Sequence, residues 1–417
     1  MSDILSFIST DESLCQRYTV HGVVPTRVAI PPDSTAMSAV LHTAAQQGWT
    51  VVAWGGGTHQ LIGAPPTQVD LVVVTTALNR VLQHEPNDLT IAVEAGMTMG
   101  ALRAYLAQHG QMLPVDPALP DQTTIGGMIA TAADGPRRAY YGILRDMMIG
   151  IGVVEVNGQT SRAGGMVVKN VSGFDMMKLY HGSFGTLAVI VSANFKLIPI
   201  PPVTATVVAA FAQRDHALDY VTAIMASQLT PVTLELLDAA LLQRIGVAGT
   251  WGVALACEGP QAAVDRHVTE LSHRATIHAG APTFFHHHTH TQCWQTIADA
   301  SAVASLAEGE MVVRWATLPA FVGDVVQRIG DLGHSLGGNP QIHVRASIGV
   351  GYVRLTGLTT ASQQQWFAAL PEAVWVATQA NDLASYWHTP VGGLEVMTQI
   401  RHEFDPLQRF NPRRFVV

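Results

Sequence analysis

Lysine is scarce in this sequence, and no region is strongly basic. Only three of the 417 residues are lysines, at positions 169, 178 and 196, so arginine supplies nearly all of the 23 basic residues. The formal net charge is −8. Because nucleic acids are bound through positive surfaces that neutralise phosphates, we expect no nucleic-acid partner. The three lysines lie within one short stretch, which makes that stretch a candidate ligand-binding site.

Cysteine and long apolar runs are also scarce. The three cysteines, Cys15, Cys257 and Cys293, are odd in number and far apart, which excludes a disulfide framework and a Cys-x-x-Cys metal site. No apolar run approaches the ~20 residues that a membrane span needs. The acidic segment Met1–Leu14 lacks the pattern of a signal peptide. We therefore expect a cytoplasmic protein that is peripheral at the inner membrane only through partners.

The length and the apolar composition indicate two packed domains of the α+β class. Hydrophobic residues make up 48% and charged residues 13%, so much of the chain must be buried. Helix and strand signals alternate up to a proline cluster at 199–202, so residues 1–200 are the predicted first domain. Residues 201–395 predict a second domain with an antiparallel sheet and helices on one face. The turn-rich segment 396–417 is expected to dock back on the first domain.

A triple glycine follows a short predicted strand, Val51–Trp54. The segment after the strand consists of Gly55, Gly56, Gly57, Thr58, His59 and Gln60. Glycines leave backbone N–H groups open to the close approach of an anion, so this loop is a candidate phosphate site, although a flexible turn has the same composition. The loop lacks the last glycine of the Rossmann fingerprint, and no phosphate-loop motif ending in Gly-Lys-Ser/Thr occurs in the chain.

Two further segments are rich in small and polar residues. Thr123–Thr131 contains Gly126 and Gly127 after two threonines, which suits a backbone pressed against a flat ligand but also a tight turn into a helix. Lys169 begins a Lys-Asn-Val-Ser-Gly-Phe-Asp segment that precedes Gly182–Leu187. Because lysine is so rare here, we treat Lys169 as a candidate ligand-binding residue rather than an ordinary surface charge.

In this order and spacing, these segments resemble the FAD-binding domain of the vanillyl-alcohol-oxidase (PCMH-type) flavoprotein family. The resemblance covers residues 26–200 and includes the tail, Phe404–Pro412. Within the family, Val168–Asp175 is similar to the FAD-binding subunits of bacterial glycolate oxidases, and Phe184 stands where catalytic relatives carry glutamate. The resemblance implies a two-subdomain FAD-binding domain followed by an α+β cap domain.

The resemblance also implies one bound FAD and the residues that contact it. The backbone of Gly55–His59 would hold the pyrophosphate. The predicted flavin-side residues are Asp121, Thr124, Gly126 and Gly127, the adenine-side residues are Val189, Ile190 and Val191, and Gln60, Thr131 and Lys169 complete the set. Some family members bond FAD covalently to a histidine in the first loop. Here Thr58 precedes His59, so the usual Gly-His pair is displaced and we expect non-covalent FAD.

The second domain offers weaker candidates for catalysis. Catalytic relatives carry a histidine-rich metal and base motif, H-x-G-D-G-N-x-H, which is missing here, so we expect no metal. His343 could accept a hydroxyl proton and Arg345 could pair with a substrate carboxylate. On a strand they would share one face, which could equally be the solvent face. Consecutive histidines cannot all point at one ion, so we interpret His286–His290 as a mobile loop rather than a metal site.

Three functions remain open from the sequence. The first is the FAD-binding subunit of a glycolate oxidase-type complex that oxidises glycolate or D-lactate and includes a second flavin subunit. The flavin of this chain or of that partner would be reduced, and the electrons would pass to an iron–sulfur subunit. Three cysteines cannot hold a cluster that needs four thiolates, so partners would supply it. The second is an autonomous FAD-dependent dehydrogenase or oxidase of 2-hydroxy acids or alcohols. The third is a scaffold that binds FAD only for stability.

Overall fold

The computed structural model describes residues 4–167, 174–380, 382–388 and 392–417, so the predicted site residue Lys169 lies outside the described residues. The strands of the first half are β1 Ile8–Ser9, β2 Val28–Ala29, β3 Val51–Trp54, β4 Leu71–Val74, β5 Val81–Glu85, β6 Thr90–Glu94, β7 Gln111–Met112, β8 Met148–Glu155, β9 Thr160–Gly164, β10 Ala188–Lys196 and β11 Ile198–Pro199. Its helices are α1 Glu12–Arg17, α2 Ser34–Gln47, α3 Met99–Ala107, α4 Ile125–Thr131, α5 Arg138–Tyr141, α6 Leu144–Met147 and α7 Met176–Tyr180.

The second half is built on one large sheet. Its strands are β12 Val203–Phe211, β13 Glu235–Asp238, β14 Trp251–Gly259, β15 Ala281–His286, β16 Met311–Ala316, β17 Asn339–Arg345, β18 Val350–Thr356 and β19 Ala373–Thr378. Its helices are α8 Arg214–Met225, α9 Ala239–Arg244, α10 Gln261–Ile277, α11 His287–Asp299, α12 Val322–Ser335, α13 Thr360–Ala369 and α14 Leu394–Phe404. Short 3-10 helices occupy Ile4–Phe7, Pro86–Asp88 and Pro319–Phe321. Among the described residues, no helix combines the length and the apolar character that a membrane crossing requires.

Local sequence signals set the helices of the first half. The Asp33 side chain accepts the Ala36 N–H and caps α2, and Gly48 ends the helix in the left-handed conformation at φ 71°. Thr98 caps α3 in the same way. A hairpin around residues 86–88 joins β5 and β6. Each of these local structures is set by residues close in sequence.

The first half has one mostly parallel sheet and one antiparallel sheet. The strands β2, β4 and β3 pair in parallel, with β1 added antiparallel at one edge. The second sheet is antiparallel in the order β5-β6-β10-β8-β9. Where the sequence predicted two strands, β10 is one continuous strand with an irregularity between Ile190 and Ser192. A bulge of this kind bends a strand without ending it.

The large sheet confirms the predicted antiparallel α+β architecture. Its order is β15-β12-β14-β13-β17-β18-β16-β19, and all its pairings are antiparallel. The helices α8, α10, α12 and α13 pack on one face. The prediction that helices lie on one face only is wrong, because α9 and α11 pack on the other face around Leu242 and Trp294. The division of the chain at residues 200 and 395 stays a prediction.

The histidine tract is ordered rather than a mobile loop, so that expectation is wrong. His286 ends β15 and α11 begins at His287. His290, Cys293, Trp294 and Ile297 are buried at helical spacing, and His290 is hydrogen-bonded to the Thr206 hydroxyl. This apolar periodicity outweighs the polar appearance of the tract. In the described part of the chain, no group of three His, Cys, Asp or Glu side chains is arranged to hold a metal ion.

The C-terminal tail docks on the first half beside β3. The N–H of Val51 donates to the Arg409 carbonyl, and the N–H of Asn411 donates to the Val51 carbonyl. The buried Asn411 side chain accepts the Ala53 N–H at 3.2 Å and donates to the Gly185 carbonyl at 2.8 Å. Asn411 therefore ties the tail to two segments that are far apart in sequence.

We expect Asn411→Ala to lower the thermal unfolding midpoint. The substitution leaves a buried N–H and a buried carbonyl without partners, which costs about 1–3 kcal/mol per group. The measurement is thermal unfolding followed by circular dichroism, with the exposed turn residue Asn87→Ala as the control. A midpoint equal to that of the control would mean that the tail does not stabilise the fold.

Candidate active site

A cavity lies between the two sheets of the first half and the docked tail. Its wall comes from the loop after β3, the start of α4, the start of β10 and the tail. The lining residues that were predicted from the sequence are Gly55, Gly56, Gly57, Thr58, His59, Gln60, Thr124, Gly126, Gly127, Thr131, Val189 and Ile190. The structure thus brings together most of the predicted FAD contacts.

Three predicted contacts are not brought to this cavity. Asp121 is exposed, and its carboxylate lies against Gly100 at the start of α3 instead. Val191 is buried in the core between the sheets. Lys169 falls outside the described residues. The resemblance implies that Val191 contacts FAD through its backbone rather than its side chain, and the roles of Asp121 and Val191 stay predictions.

Glycine is required at Gly55 and Gly56 because neighbouring atoms leave no room for a Cβ atom there. A Cβ atom on Gly56 would lie 1.7 Å from the Gln122 carbonyl oxygen, and one on Gly55 would lie 2.2 Å from the Thr124 hydroxyl. Gly57 has φ +75°, a conformation that side chains disfavour. The loop therefore packs directly against the segment that leads into α4, and this contact forms the wall of the cavity.

Threonine hydroxyls hold that wall together. Thr124 caps α4 by accepting the Gly127 N–H at 3.2 Å, and the Thr131 hydroxyl donates to the Gly127 carbonyl at 2.8 Å. The Thr123 and Thr58 hydroxyls are 3.2 Å apart and join α4 to the glycine loop. Small polar side chains thus fix the backbone without filling the cavity.

Arg414 is a lining residue that the sequence reading missed. The guanidinium donates to the carbonyls of His59 and Gln60, but its buried Nη1 has no partner among the described residues. Burial lowers the pKa of Arg414 to about 10, so the side chain is charged at neutral pH. An orphaned cationic donor beside a glycine loop fits a cofactor that carries phosphates.

A second space adjoins this cavity. It shares His59, Thr131 and Phe184 with the first cavity. We call this space the chamber. Its other lining residues are Ile62, Ala118, Ala132, Ala133, Asp134, Arg138, Ile143, Arg145, His181, Gly182, Ser301, Arg314, Tyr352, Val374, Trp375 and Trp387. Both halves of the chain contribute, so the chamber lies between the first half and the large sheet.

Asp134 anchors arginines from both halves. Its carboxylate accepts hydrogen bonds from Arg138 of the first half and from Arg345 of the large sheet. Burial alone would raise the pKa of Asp134, but Arg345, Arg314 and Arg138 together lower it to about 2. The carboxylate therefore stays ionised at physiological pH and holds the arginines in place.

Two uncharged imidazoles line the chamber. Burial lowers the pKa of His59 to about 4. Burial, followed by the positive charge of Arg145, lowers the pKa of His181 to about 4 as well. The His59 Nδ1 is hydrogen-bonded to the Thr58 hydroxyl at 2.9 Å. Both rings are neutral at pH 7 and can accept a proton.

The structure corrects the expectation that His343 and Arg345 contact substrate. Both are buried and neither lines the chamber. His343 is bonded to Glu235 and stacks on Tyr352, while the Arg345 guanidinium lies 5.2 Å from the centre of the same ring. Their shared face points towards the first half, not towards solvent. We therefore propose that they position Tyr352 and Asp134.

The sequence carried faint signals for the arginines that do line the chamber. Arg314 interrupts the otherwise apolar strand β16. Arg145 belongs to the Arg145-Asp146 pair that contributed to the family resemblance, but no role followed from it. A charged residue in a buried strand was the one indication that could have identified Arg314.

Two family descriptions match the chain in succession. Residues 25–174 match the FAD binding domain, and residues 200–338 match the C-terminal domain of FAD linked oxidases. The chain belongs to the family of FAD-linked oxidases. FAD is therefore its cofactor, and the glycine-lined cavity with its orphaned Arg414 donor fits that cofactor.

Curated relatives of this FAD-linked oxidase act on small hydroxy acids, according to their names. Glycolate oxidase subunit GlcD of Bacillus subtilis is 33% identical over 60% of this chain and 54% of its own length. D-lactate dehydrogenase of Archaeoglobus fulgidus is 32% identical over 57% and 52%. Glycolate oxidase subunit GlcE of Escherichia coli is 32% identical over 40% and 48%. The matched regions span about half the length of these relatives.

Solved structures share the fold at low sequence identity. The 4-ethylphenol oxidase from Gulosibacter chungangensis superposes with a TM-score of 0.75 at 13% identity, over 97% of this chain and 94% of that one. The p-cresol methylhydroxylase gives 0.72 at 14% identity, over 96% and 92%. These similarities confirm the predicted fold of the vanillyl-alcohol-oxidase type.

Gly56→Ala should remove most of the bound FAD, because the added methyl group would overlap the Gln122 carbonyl and push the loop into the cavity. The ratio of flavin to protein is read from absorbance, after acid precipitation releases the flavin into the supernatant. Gly165→Ala is the matched control, since nothing lies within 4 Å of its Cβ position. Full flavin content in Gly56→Ala would rule out this loop as the FAD contact.

His59 should make the folded protein sensitive to acid. The pKa of His59 is about 4 in the folded protein and 6.5 for an exposed histidine, so the unfolded chain binds the proton more readily. The stabilisation is complete above pH 6.5 and is lost as the pH falls through about 4. Thermal midpoints between pH 7 and pH 4 should fall less steeply for His59→Gln than for the exposed control His273→Gln. Parallel curves would contradict the assigned pKa.

Proposed function

We propose that this chain oxidises a small 2-hydroxy acid with its bound FAD. The observation that carries the proposal is the chamber, which shares three residues with the FAD cavity and is lined by Arg138, Arg145 and Arg314. Guanidinium groups bind carboxylates in paired hydrogen bonds. A substrate held by its carboxylate in the chamber would lie directly beside the cofactor cavity.

The names of the relatives support the substrate class. Glycolate, D-lactate and D-2-hydroxyglutarate all carry a hydroxyl on the carbon next to a carboxylate, and each appears in the name of a relative. An arginine-lined space suits the part that these acids have in common. The scaffold function, in which FAD serves stability alone, leaves the arginines unexplained.

The residues of the chamber suggest how the reaction proceeds. FAD held by the glycine loop and Arg414 would supply the acceptor for the hydride of the carbon that carries the hydroxyl. Arg314 binds the neighbouring carboxylate and orients that carbon. His181, which is neutral and lines the chamber, accepts the hydroxyl proton as the carbonyl forms. His59, whose Nδ1 is bonded to the Thr58 hydroxyl, is the second candidate base through its Nε2.

We further propose that the chain is one subunit of a glycolate oxidase-type complex. Relatives named as subunits GlcD and GlcE support this, as does the cysteine content, because all three cysteines are buried and free and cannot hold a cluster. Electrons would then leave through a second flavin subunit and an iron–sulfur subunit. In this proposal the complex is cytoplasmic and is peripheral at the inner membrane through its partners, and FAD is held without a covalent bond.

An autonomous dehydrogenase is the second candidate function. It is favoured by the chamber, because Arg314 for the carboxylate and His181 for the hydroxyl proton both belong to this chain. The two candidates differ in what the isolated chain can do with an artificial electron acceptor. Turnover by the isolated chain would support the autonomous enzyme, whereas turnover only with co-purified partners would support the complex.

We predict that Arg314→Met lowers kcat/KM for glycolate and D-lactate about ten- to hundredfold, the effect of losing a charged hydrogen bond worth about 1.5–3 kcal/mol. Flavin content should stay at the wild-type level. The assay follows reduction of a dye acceptor, by the isolated chain and by the native complex, with the exposed Arg244→Met as the control. Unchanged kcat/KM in Arg314→Met would remove Arg314 from the substrate site.

A further inference from the structure

The chamber carries more positive charge than one substrate carboxylate can neutralise. Its lining residues include three arginines, Arg138, Arg145 and Arg314, and one carboxylate, Asp134. The remaining lining side chains are neutral, and His59 and His181 are kept uncharged by burial. The lining therefore has an excess of two positive charges.

Asp134 is already counted in this excess, and both of its oxygens are engaged by arginines. One of its oxygens accepts a hydrogen bond from Arg138, and the other accepts one from Arg345 behind the wall. Its hydrogen-bonding partners are therefore Arg138 and Arg345, and both side chains are fixed by it. Arg145 and Arg314 are left with donors that can be used by a ligand.

These two arginines reach the chamber from opposite sides. Arg314 lies on β16, between its cross-strand neighbours Tyr352 and Trp375, and makes no hydrogen bond or ion pair among the described residues. Arg145 lies on α6 of the first half, and its buried Nε has no hydrogen-bond partner within that part of the chain. The nearest carboxylate, that of Asp146, is 3.9 Å away and half exposed.

From this arrangement we propose that the substrate of the chamber is a dicarboxylate, a 2-hydroxy acid with a second carboxylate at its far end. The inference rests on the proposed function and narrows it. Arg314 binds the carboxylate next to the reacting carbon. Arg145, whose side chain is 40% exposed, binds the distal carboxylate near the mouth. Guanidinium groups form paired hydrogen bonds with carboxylates, and the two separated arginines offer donors to two of them.

A monocarboxylate would pair with only one of the two arginines. Its apolar end would leave the donors of Arg145 to water and to Asp146, whose carboxylate is 3.9 Å away. The cross-strand neighbours of Arg314, Tyr352 and Trp375, carry no charge that could replace a carboxylate. A dicarboxylate therefore gains one more charged contact in the chamber than a monoacid such as glycolate.

Binding to the FAD-loaded protein tests the proposal without turnover. The probes are 2-oxoglutarate and 2-oxopentanoate, which have the same carbon number and differ in the distal carboxylate. Each is titrated into the holoprotein, and the change in flavin absorbance gives Kd. We expect 2-oxoglutarate to bind about tenfold more tightly, as one additional charged hydrogen bond would give.

Variants assign the preference to the two arginines. Arg145→Met should bring the ratio of the two Kd values close to one, and Arg145→Lys should restore part of the preference. Arg314→Met should weaken both probes, because both contain the inner carboxylate. Arg266→Met, exposed on α10, is the matched control and should keep the wild-type ratio. Flavin content is measured for every variant.

The outcomes separate this inference from the proposed function. Equal Kd values for the two probes in the wild-type holoprotein would overturn the dicarboxylate assignment, even if glycolate or D-lactate is oxidised. A preference for 2-oxoglutarate that Arg145→Met leaves intact would overturn the role of Arg145. If the preference is present and depends on Arg145 but no hydroxy acid is oxidised, the inference about the site holds and the proposed function fails.

Discussion

The contact between the triple-glycine loop and the segment before α4 is the constraint on which the site depends. At Gly56 the backbone lies so close to the Gln122 carbonyl that no side chain fits. This contact lets two backbone segments form a wall without filling the space beside it. The threonines of both segments then lock the wall, and Arg414 from the docked tail adds a charge to it.

Asp134 fixes the chamber between the two halves, as the glycine contact fixes the wall of the cofactor cavity. Its carboxylate links Arg138 of the first half with Arg345 of the large sheet, so the chamber has a fixed geometry only when the halves are packed together. An ionised carboxylate that is buried without such partners would be strongly destabilising. The cofactor cavity and the substrate chamber are thus built by different physical means, the first by steric fit of backbone and the second by charge.

How far the sequence predicts the structure follows from the range of the interactions. Helix α2 could be placed because Asp33 and Gly48 act on their own helix ends. The glycine loop could be recognised because its composition is unusual. The helix α11 was missed because its polar residues hid a buried stripe that ends at Ile297. Strand β13 was missed because it is short and central, and its partners lie far along the chain.

The chamber was harder to predict than the cofactor loop for the same reason. Asp134 and Arg345 are 211 positions apart, and no local pattern joins them. The sequence pointed to His343 and Arg345 because they share one face of a strand, and the structure has them on one face. Whether that face meets a ligand or another side chain depends on how the two halves pack. Family resemblance gave the cofactor and its loops, because those are read from contiguous segments.

The proposed function depends on one event, the reduction of the flavin in this chain by a hydroxy acid in the chamber. The most direct measurement is the absorbance of the FAD-loaded protein, free of oxygen and of other subunits, after a 2-hydroxy acid is added. We expect the wild-type protein to lose the absorption of the oxidised flavin. A flavin that stays oxidised with glycolate, D-lactate and D-2-hydroxyglutarate alike would contradict it.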